Sequence, residues 1–223
     1  QRVSETLEDD KDELAVLLHT LADNVRHIDQ VIQAQKRHTN QPLKWTQMDL
    51  KTVISEAIRC SHAKLERDKV QVELQCDYGF RVRTDRSILL QILINVIGNA
   101  GHATRDLVGR QPRLQIDVVE NEDFIQIEVD DNGCGMDPET LSRVFDAHFT
   151  TRKAGSGLGL HFCAIAIKRL NGSIHAESEG PGRGASFTIT LPTETDAERE
   201  PIKTQSLQRH ATSQNSTARC GGN

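Results

Sequence analysis

The sequence is poor in aromatic residues and has no excess of positive charge. One Trp, one Tyr and six Phe occur among 223 residues, and the formal net charge is -5. The lack of a basic excess, with 27 Lys and Arg against 32 Asp and Glu, argues against a nucleic-acid-binding protein, whose affinity depends on neutralising phosphates. With 36% hydrophobic residues, the composition suits one soluble domain of ordinary size with attached segments.

Long apolar runs and targeting signals are also missing. The longest run, "ILLQILINVIGNA", is interrupted by Gln91, Asn95 and Asn99 and falls short of the ~20 residues that span a bilayer. No signal peptide is visible, and the missing Met start suggests an internal cut from a longer protein. We therefore expect a cytoplasmic segment with no membrane contact of its own.

The cysteines do not form a recognisable framework. They are odd in number and far apart, and they include no C-x-x-C pair or nearby His at zinc-site spacing. Reduced, buried or incidental thiols in a cytosolic protein are the simplest interpretation. The five are Cys60, Cys76, Cys134, Cys163 and Cys220.

The first 41 residues carry a heptad pattern. Apolar residues recur from Leu14 to Ile32 at alternating spacings of four and three, and the helix ends before Pro42. An amphipathic helix packed on its own domain would also have an apolar stripe. The 3.5-residue rhythm favours an inter-helix bundle, formed with another helix of the chain or with a second copy.

Residues 42–192 alternate helical and strand patterns. Helices are predicted at 50–68, across "QILINVIGNAGHAT", in "DPETLSRVF" and in "GLGLHFCAIAIKRLNG". Strands are predicted at 70–76, 80–83, 114–120, 124–131 and in a final pair, with a hairpin at "NED". This is an α+β class, with a mixed, largely antiparallel sheet and helices on one face. Residues 193–223 are rich in Thr, Ser and Gln, and we expect them to be disordered.

One predicted helix carries a polar stripe. Gln91, Asn95, Asn99 and His102 fall on one side, while apolar residues lie on another. Buried amides need hydrogen-bond partners, because an unsatisfied one costs ~1 to 3 kcal/mol. Neighbouring loops or a ligand could supply them.

Two glycine clusters favour the ligand. "DDNGCGMD" places Gly133 and Gly135 directly after a strand that ends at Asp131, although D-x-G-x-G alone is a common turn. "KAGSGLGLH" opens a helix with Gly155, Gly157 and Gly159, and free N–H groups at a helix start suit phosphate. Its spacing matches neither the P-loop nor the Rossmann fingerprint. Between them lies "FDAHFTTRK", where Phe145 and Phe149 can anchor a loop and the basic pair is either solvated or reaches anionic oxygens.

Together, "NVIGNAGHAT", "DDNGCGMD", "FDAHFTTR" and "GSGLGLH" resemble the N, G1, F and G2 boxes of bacterial sensor histidine kinases, within the superfamily shared with DNA gyrase and a heat-shock chaperone. The closing "GPGRGASFTITLP" is similar to the nitrogen-regulation subgroup. The resemblance implies a two-layer α/β sandwich of the Bergerat type over 42–192. It also implies that 1–41 is the second helix of a dimerisation and phosphoacceptor hairpin, so that the protein is a homodimer with a response regulator as partner.

The resemblance also implies roles for individual residues, with ATP and Mg²⁺ as cofactors. Asp131 would bind the adenine amino group. Asn99 would coordinate Mg²⁺, with Asn95 beside it as the second catalytic position. The other implied ATP-binding residues line the adenine pocket, the lid and the phosphate site: His102, Gly133, Gly135, Thr150, Arg152, Lys153, Gly155, Gly157, Leu158 and Gly159.

The sequence departs from the family in two places. His102 stands where many members have Lys, so a phosphate contact there could depend on pH. The phosphoacceptor box is absent, because His19, His27 and His38 lack its acidic neighbour and are expected on the bundle surface. We therefore expect the acceptor helix upstream of Gln1.

Asn95 discriminates between functions. In ATP-hydrolysing relatives a glutamate at this position activates water, whereas an amide cannot take a proton at neutral pH. The resemblance therefore implies a protein-histidine kinase that transfers the ATP γ-phosphoryl to a histidine, for relay to a response regulator. The alternatives are a nucleotide-gated ATPase and a non-catalytic ATP-binding dimerisation module.

Overall fold

The structure is a computed structural model, and it describes residues 42–193 except 78, 106, 122, 153 and 154. Four helices lie in this part: α1 (Leu50–Arg67), α2 (Arg86–Ala103), α3 (Pro138–Arg143) and α4 (Gly159–Arg169). The seven strands are β1 (Trp45–Asp49), β2 (Gln71–Gln75), β3 (Arg81–Asp85), β4 (Arg113–Glu120), β5 (Phe124–Asp131), β6 (Ser173–Glu177) and β7 (Ala185–Pro192).

Five strands form a mixed sheet in the order β2-β4-β5-β7-β6. Only β2 and β4 pair in parallel, and the other neighbours in this sheet are antiparallel. β1 and β3 form a separate antiparallel pair, and β1 was not predicted from the sequence. The predicted α+β class with a largely antiparallel sheet is confirmed. The heptad segment at 1–41 and residues 194–223 lie outside the described residues.

One face of the sheet packs against the helices. Along β4 and β5 every second residue is buried and its neighbours are not, which is the pattern of a sheet covered on one side. Fully buried aliphatic side chains of α2, such as Leu93 and Ile97, meet Ile116 and Ile127 in one core. Each such side chain stabilises the fold by about 1.5–3 kcal/mol. The core thus fixes α2 on the sheet and sets which side of α2 is left for other contacts.

The helices differ in how they begin. Asp49, Asp85 and Asp137 each accept a backbone hydrogen bond at the start of α1, α2 and α3. α4 begins after Leu158 and has no side-chain cap. In the described part of the chain, α4 is therefore the one helix whose first N–H groups have no side chain to satisfy them.

No described helix combines the length and apolar character that a bilayer crossing requires.

Candidate functional site

The polar stripe on α2 lies where the sequence predicted it. Gln91, Asn95, Asn99 and His102 are all half-buried, on the side that the core leaves uncovered. The Gln91 amide donates to Asn95 Oδ1 at 3.5 Å, and Asn95 Nδ2 donates to the Gly159 carbonyl at 3.4 Å. Both distances are long for a hydrogen bond, so these amides are only weakly satisfied by the protein.

Asp131 is buried at the end of β5, with 8% of its surface exposed. Its Oδ1 accepts the Gly133 N–H at 2.8 Å, whereas its Oδ2 is buried and has no hydrogen-bond partner among the described residues. Burial raises the pKa of this carboxyl to about 6, and the backbone N–H groups of Gly133 and Ala185 oppose the rise. A buried, unpartnered acceptor is the feature that a ligand amine would satisfy.

The glycine loop after β5 packs on the end of α2. A Cβ on Gly133 would lie 2.5 Å from the Ala103 carbonyl, and Gly135 has a φ of +65° and lies against the Gly180 carbonyl. The Cys134 N–H donates to the Ala103 carbonyl at 2.9 Å. Close packing therefore requires both glycines, and it fixes the Asp131 carboxylate beside the last turn of α2.

A second loop, residues 144–158 between α3 and α4, is described except at 153 and 154 and contacts the middle of α2 through Arg152. Arg152 Nη2 donates to Asn99 Oδ1 at 2.8 Å. Arg152 is half-buried, and burial lowers the pKa of its guanidinium, which nevertheless keeps its charge. No carboxylate of the described residues forms an ion pair with it. The site thus holds a partly desolvated cation whose charge is not balanced by a neighbouring anion.

Two phenylalanines anchor this loop as the sequence predicted. Phe145 packs edge-on against Phe187 with ring centroids 6.5 Å apart, and the Arg143 guanidinium lies 4.6 Å from the Phe149 ring centroid. The base of the loop is closed by Gly157, whose φ is +67° and whose carbonyl accepts the His148 N–H at 3.0 Å.

The start of α4 faces Asn95. A Cβ on Gly159 would meet Asn95 Oδ1 at 3.7 Å, an ordinary contact, so the fold does not require glycine there. Because Leu158 provides no cap, the first N–H groups of α4 add a positive end of the helix dipole to this region. An anion is the natural partner of such a helix start.

The remaining predicted residues lie in the same loop. The Thr150 hydroxyl accepts the Arg152 N–H at 3.1 Å, and the Gly155 N–H donates to the Arg152 carbonyl at 3.2 Å, so both shape the turn that carries Arg152. His102 is half-buried in the last turn of α2 and is engaged in contacts there. Lys153 lies outside the described residues.

Along α2, these contacts fall in a row. Asn95 meets the start of α4, Asn99 meets Arg152, and Ala103 meets the loop that holds Asp131. At 1.5 Å per residue, the row spans about 12 Å of the helix. A buried carboxylate thus lies at one end of the row, the Arg152 cation in the middle and the first N–H groups of α4 at the other end. This arrangement suits a ligand with an amine and an anionic tail.

A cavity of about 660 Å³ reaches this row at Asp131. Its other walls come from Leu141, Phe145, β6 and the segment before β7, and it does not extend to Asn95 or Asn99. It therefore adjoins only the carboxylate end of the row.

Two features of the site were not predicted from the sequence. His161 Nδ1 lies 3.0 Å from the Phe145 carbonyl, and because a carbonyl only accepts, the ring must donate its Nδ1–H. This bond connects α4 to Phe145 of the 144–158 loop. The exposed Cys134 lies near Arg152. Neither pairing has a local sequence signal.

Comparison with known proteins identifies the family. The family described as "Histidine kinase-, DNA gyrase B-, and HSP90-like ATPase" matches residues 84–195, which include α2, both loops and α4. The chain belongs to this family. Its expected likeness to bacterial sensor histidine kinases is confirmed, whereas the narrower likeness to the nitrogen-regulation subgroup stays a prediction.

Curated relatives of this family member carry kinase names. The chain is 30% identical over 182 residues to the "Signal transduction histidine-protein kinase AtoS" of Escherichia coli (strain K12), covering 80% of the chain and 28% of AtoS. It is 32% identical over 152 residues to the "Sensor histidine kinase ZraS" of Klebsiella oxytoca, covering 67% of the chain and 32% of ZraS. The chain thus spans about a third or less of these relatives.

Solved structures share the fold. The catalytic domain of histidine kinase ThkA matches with a TM-score of 0.60 and 25% identity, over 68% of this chain and 97% of that one. Histidine kinase AdeS of Acinetobacter baumannii matches with a TM-score of 0.65 and 22% identity, over 80% of this chain and 85% of that one. The predicted two-layer sandwich of the ATPase family is therefore confirmed.

Proposed function

We propose that this chain is the ATP-binding catalytic portion of a sensor protein-histidine kinase. It would transfer the γ-phosphoryl of ATP to a histidine on a dimerisation helix, from which a response regulator would take it. The observation that carries the proposal is the row of contacts along α2, with a buried acceptor at Asp131 and an unbalanced cation at Arg152. Membership of the ATPase family and kinase-named relatives support it.

The polarity of the row suggests how ATP would lie. Asp131 Oδ2 would accept a hydrogen bond from the adenine amine, because no donor of the described residues reaches this buried oxygen. Arg152 and the uncapped start of α4 would face the phosphates, since both present positive charge or N–H donors. The glycine loop would hold Asp131 in place through its packing on Ala103.

The residues present also fit Mg²⁺ as a cofactor carried with the phosphates. Among the described residues, no cluster of three His, Cys, Asp or Glu side chains could hold a metal alone. Asn99 Oδ1 is a hard oxygen ligand on the polar side of α2, and Mg²⁺ is usually bound by few protein oxygens and by substrate phosphates. When bound, it would neutralise phosphate charge. Asn99 would be its protein ligand.

Asn95 favours transfer over hydrolysis. Its amide contacts the start of α4 and cannot act as a general base, and no carboxylate of the described residues is hydrogen-bonded to it. The site would therefore position ATP and neutralise its charge without activating water. Homodimerisation through residues 1–41 and a cytoplasmic location are parts of the same proposal.

The test combines nucleotide binding with phosphotransfer. The chain would be titrated calorimetrically with ADP and Mg²⁺, and then incubated with γ-labelled ATP and a phosphoacceptor hairpin of the sensor kinase type. We expect Asn99→Ala to weaken binding by roughly tenfold or more and to abolish labelling of the hairpin histidine. Gln126→Ala is the matched amide control, because Gln126 lies on the face of β5 opposite to Asp131. It should change neither nucleotide binding nor labelling of the histidine.

Each alternative predicts a different result. Steady phosphate release without the hairpin would favour an ATPase. Nucleotide binding that depends on Asn99, with neither hydrolysis nor acid-labile label on the histidine, would favour a non-catalytic binding module.

A further inference from the structure

The hydrogen bond between Arg152 and Asn99 joins the 144–158 loop to the polar side of α2. The guanidinium reaches across from the 144–158 loop and donates to Asn99 Oδ1 at 2.8 Å, over a sequence separation of 53 residues. Asn99 has one amide oxygen, and it is the atom that the proposed function assigns to the metal ion. A protein cation is therefore bound to the proposed metal ligand.

Arg152 is well suited to hold that position. It is half-buried, and its backbone is shaped by the Thr150 hydroxyl and the Gly155 N–H. None of the described carboxylates forms an ion pair with it, and its guanidinium donates to the neutral Asn99 Oδ1 instead. The charge-assisted bond is of the stronger kind, and it fastens the loop onto α2.

One oxygen cannot serve both cations well. An amide oxygen has two lone pairs, so its geometry alone would allow a second partner. A guanidinium and a divalent ion on the same atom would lie within a few ångströms of each other, and at that separation like charges repel strongly in a partly desolvated site. Arg152 must therefore release Asn99 before that oxygen can serve a metal ion.

We propose that the Arg152–Asn99 contact is an autoinhibitory latch, in which Arg152 closes the 144–158 loop over α2 and competes with the metal ion for Asn99. The metal half of this proposal rests on the proposed function. When phosphate binds, Arg152 exchanges the neutral Asn99 amide for an anion, and the 144–158 loop closes over the ligand. The same side chain thus weakens metal-assisted binding and supports metal-free binding.

The latch itself is tested without nucleotide. Amide hydrogen exchange across residues 144–158 would be measured in the full chain, in Arg152→Ala, in Asn99→Ala and in the double variant. We expect each single variant to speed exchange in this loop by roughly tenfold and the double variant to add almost nothing further. Arg59→Ala, which removes an exposed arginine of α1, is the control and should leave the loop unchanged.

Unchanged exchange in the single variants, or effects that add in the double variant, would overturn the latch. Circular dichroism and the urea midpoint would show that each variant is folded, and Arg152→Lys, which keeps the charge but not the fork of donors, should restore only part of the protection.

The competition is tested with ADP, in EDTA and in Mg²⁺. We expect Arg152→Ala to bind ADP more weakly in EDTA, because a phosphate contact is lost. The enhancement by Mg²⁺ should rise at least threefold over the wild-type value, because Asn99 is released. An unchanged enhancement would overturn the competition. If the wild-type chain binds no nucleotide while the loop coupling persists, the proposed function and the metal half fail, and the latch contact stands.

Discussion

Asp131 offers a test in which stability and binding change in opposite directions. In Asp131→Asn the shape of the side chain is kept and its charge is removed. The carboxylate is costly to the fold, because it is buried and one of its oxygens has no partner among the described residues. It is also the group that the proposed function needs for the adenine amine. We therefore expect a more stable protein that binds nucleotide less well.

The magnitude follows from the pKa. Burial raises the pKa of Asp131 from 3.8 to about 6, a difference equivalent to about 3 kcal/mol. In the window between these two values the folded state binds more protons than the unfolded state. Stability is therefore highest at the acidic end and is lost as the pH rises towards 6. At pH 7.5 Asp131→Asn regains this stability, but it loses about 1 kcal/mol because one amide N–H has no hydrogen-bond partner.

Urea denaturation of both proteins between pH 4 and pH 8 measures the effect. The two should be of similar stability near pH 4, and the variant should be about 2 kcal/mol more stable above pH 7. Subtracting one free energy of unfolding from the other removes the contribution of the other titrating groups, which the two proteins share. ADP affinity at pH 7.5 should fall roughly tenfold in the variant. A stability difference that does not change with pH would refute the buried-charge argument, and undiminished ADP binding would refute the adenine contact.

Other substitutions test the packing of α2. Gly98→Ala should stabilise the protein by about 0.5–1 kcal/mol, because a Cβ there meets nothing within 4 Å. Gly101→Ala should destabilise it by about 1–3 kcal/mol, because its Cβ would lie 2.7 Å from Leu65 Cδ2. Thermal denaturation of the two variants compares these positions on one helix, and equal changes in stability would contradict the packing. Asp85→Ala should cost about 1–2 kcal/mol or more, since Oδ1 caps the N–H groups of Ser87 and Ile88 and Oδ2 accepts the Lys44 N–H. Asp85→Asn keeps the capping oxygen but loses the Lys44 bond, so it should recover only part of this cost; no recovery at all would contradict the capping role.

The periodic elements were predictable from sequence. The hairpin expected at 114–120 and 124–131 forms strands Arg113–Glu120 and Phe124–Asp131, because alternation and turn residues act locally. β1 was missed, since its two large apolar side chains, Trp45 and Met48, are three residues apart and do not alternate. Its pairing with β3 joins residues that are 32 to 40 positions apart in the sequence. A strand whose stability comes from such a distant partner leaves almost no pattern of its own.

The same distinction applies to the site. The motifs indicated which residues matter, and α2 placed Asn95 and Asn99 on one side as the helical period requires. The sequence could not show that Arg152 occupies Asn99 Oδ1, since a loop and a helix 53 residues apart are brought together by the core and not by any local preference. Nor could it show that Asp131 keeps one oxygen unpartnered, because this depends on which N–H groups the finished sheet leaves within reach.

The start of α4 has a thermodynamic consequence. A conventional cap in place of Leu158 would add about 1 kcal/mol to the stability of the protein, and the chain forgoes it. The unsatisfied N–H groups make the first turn of α4 prone to fraying in the absence of a bound anion, and an anion would order that turn as it binds. Helix formation and phosphate affinity would then be linked, and the order of this first turn would report whether an anion is bound.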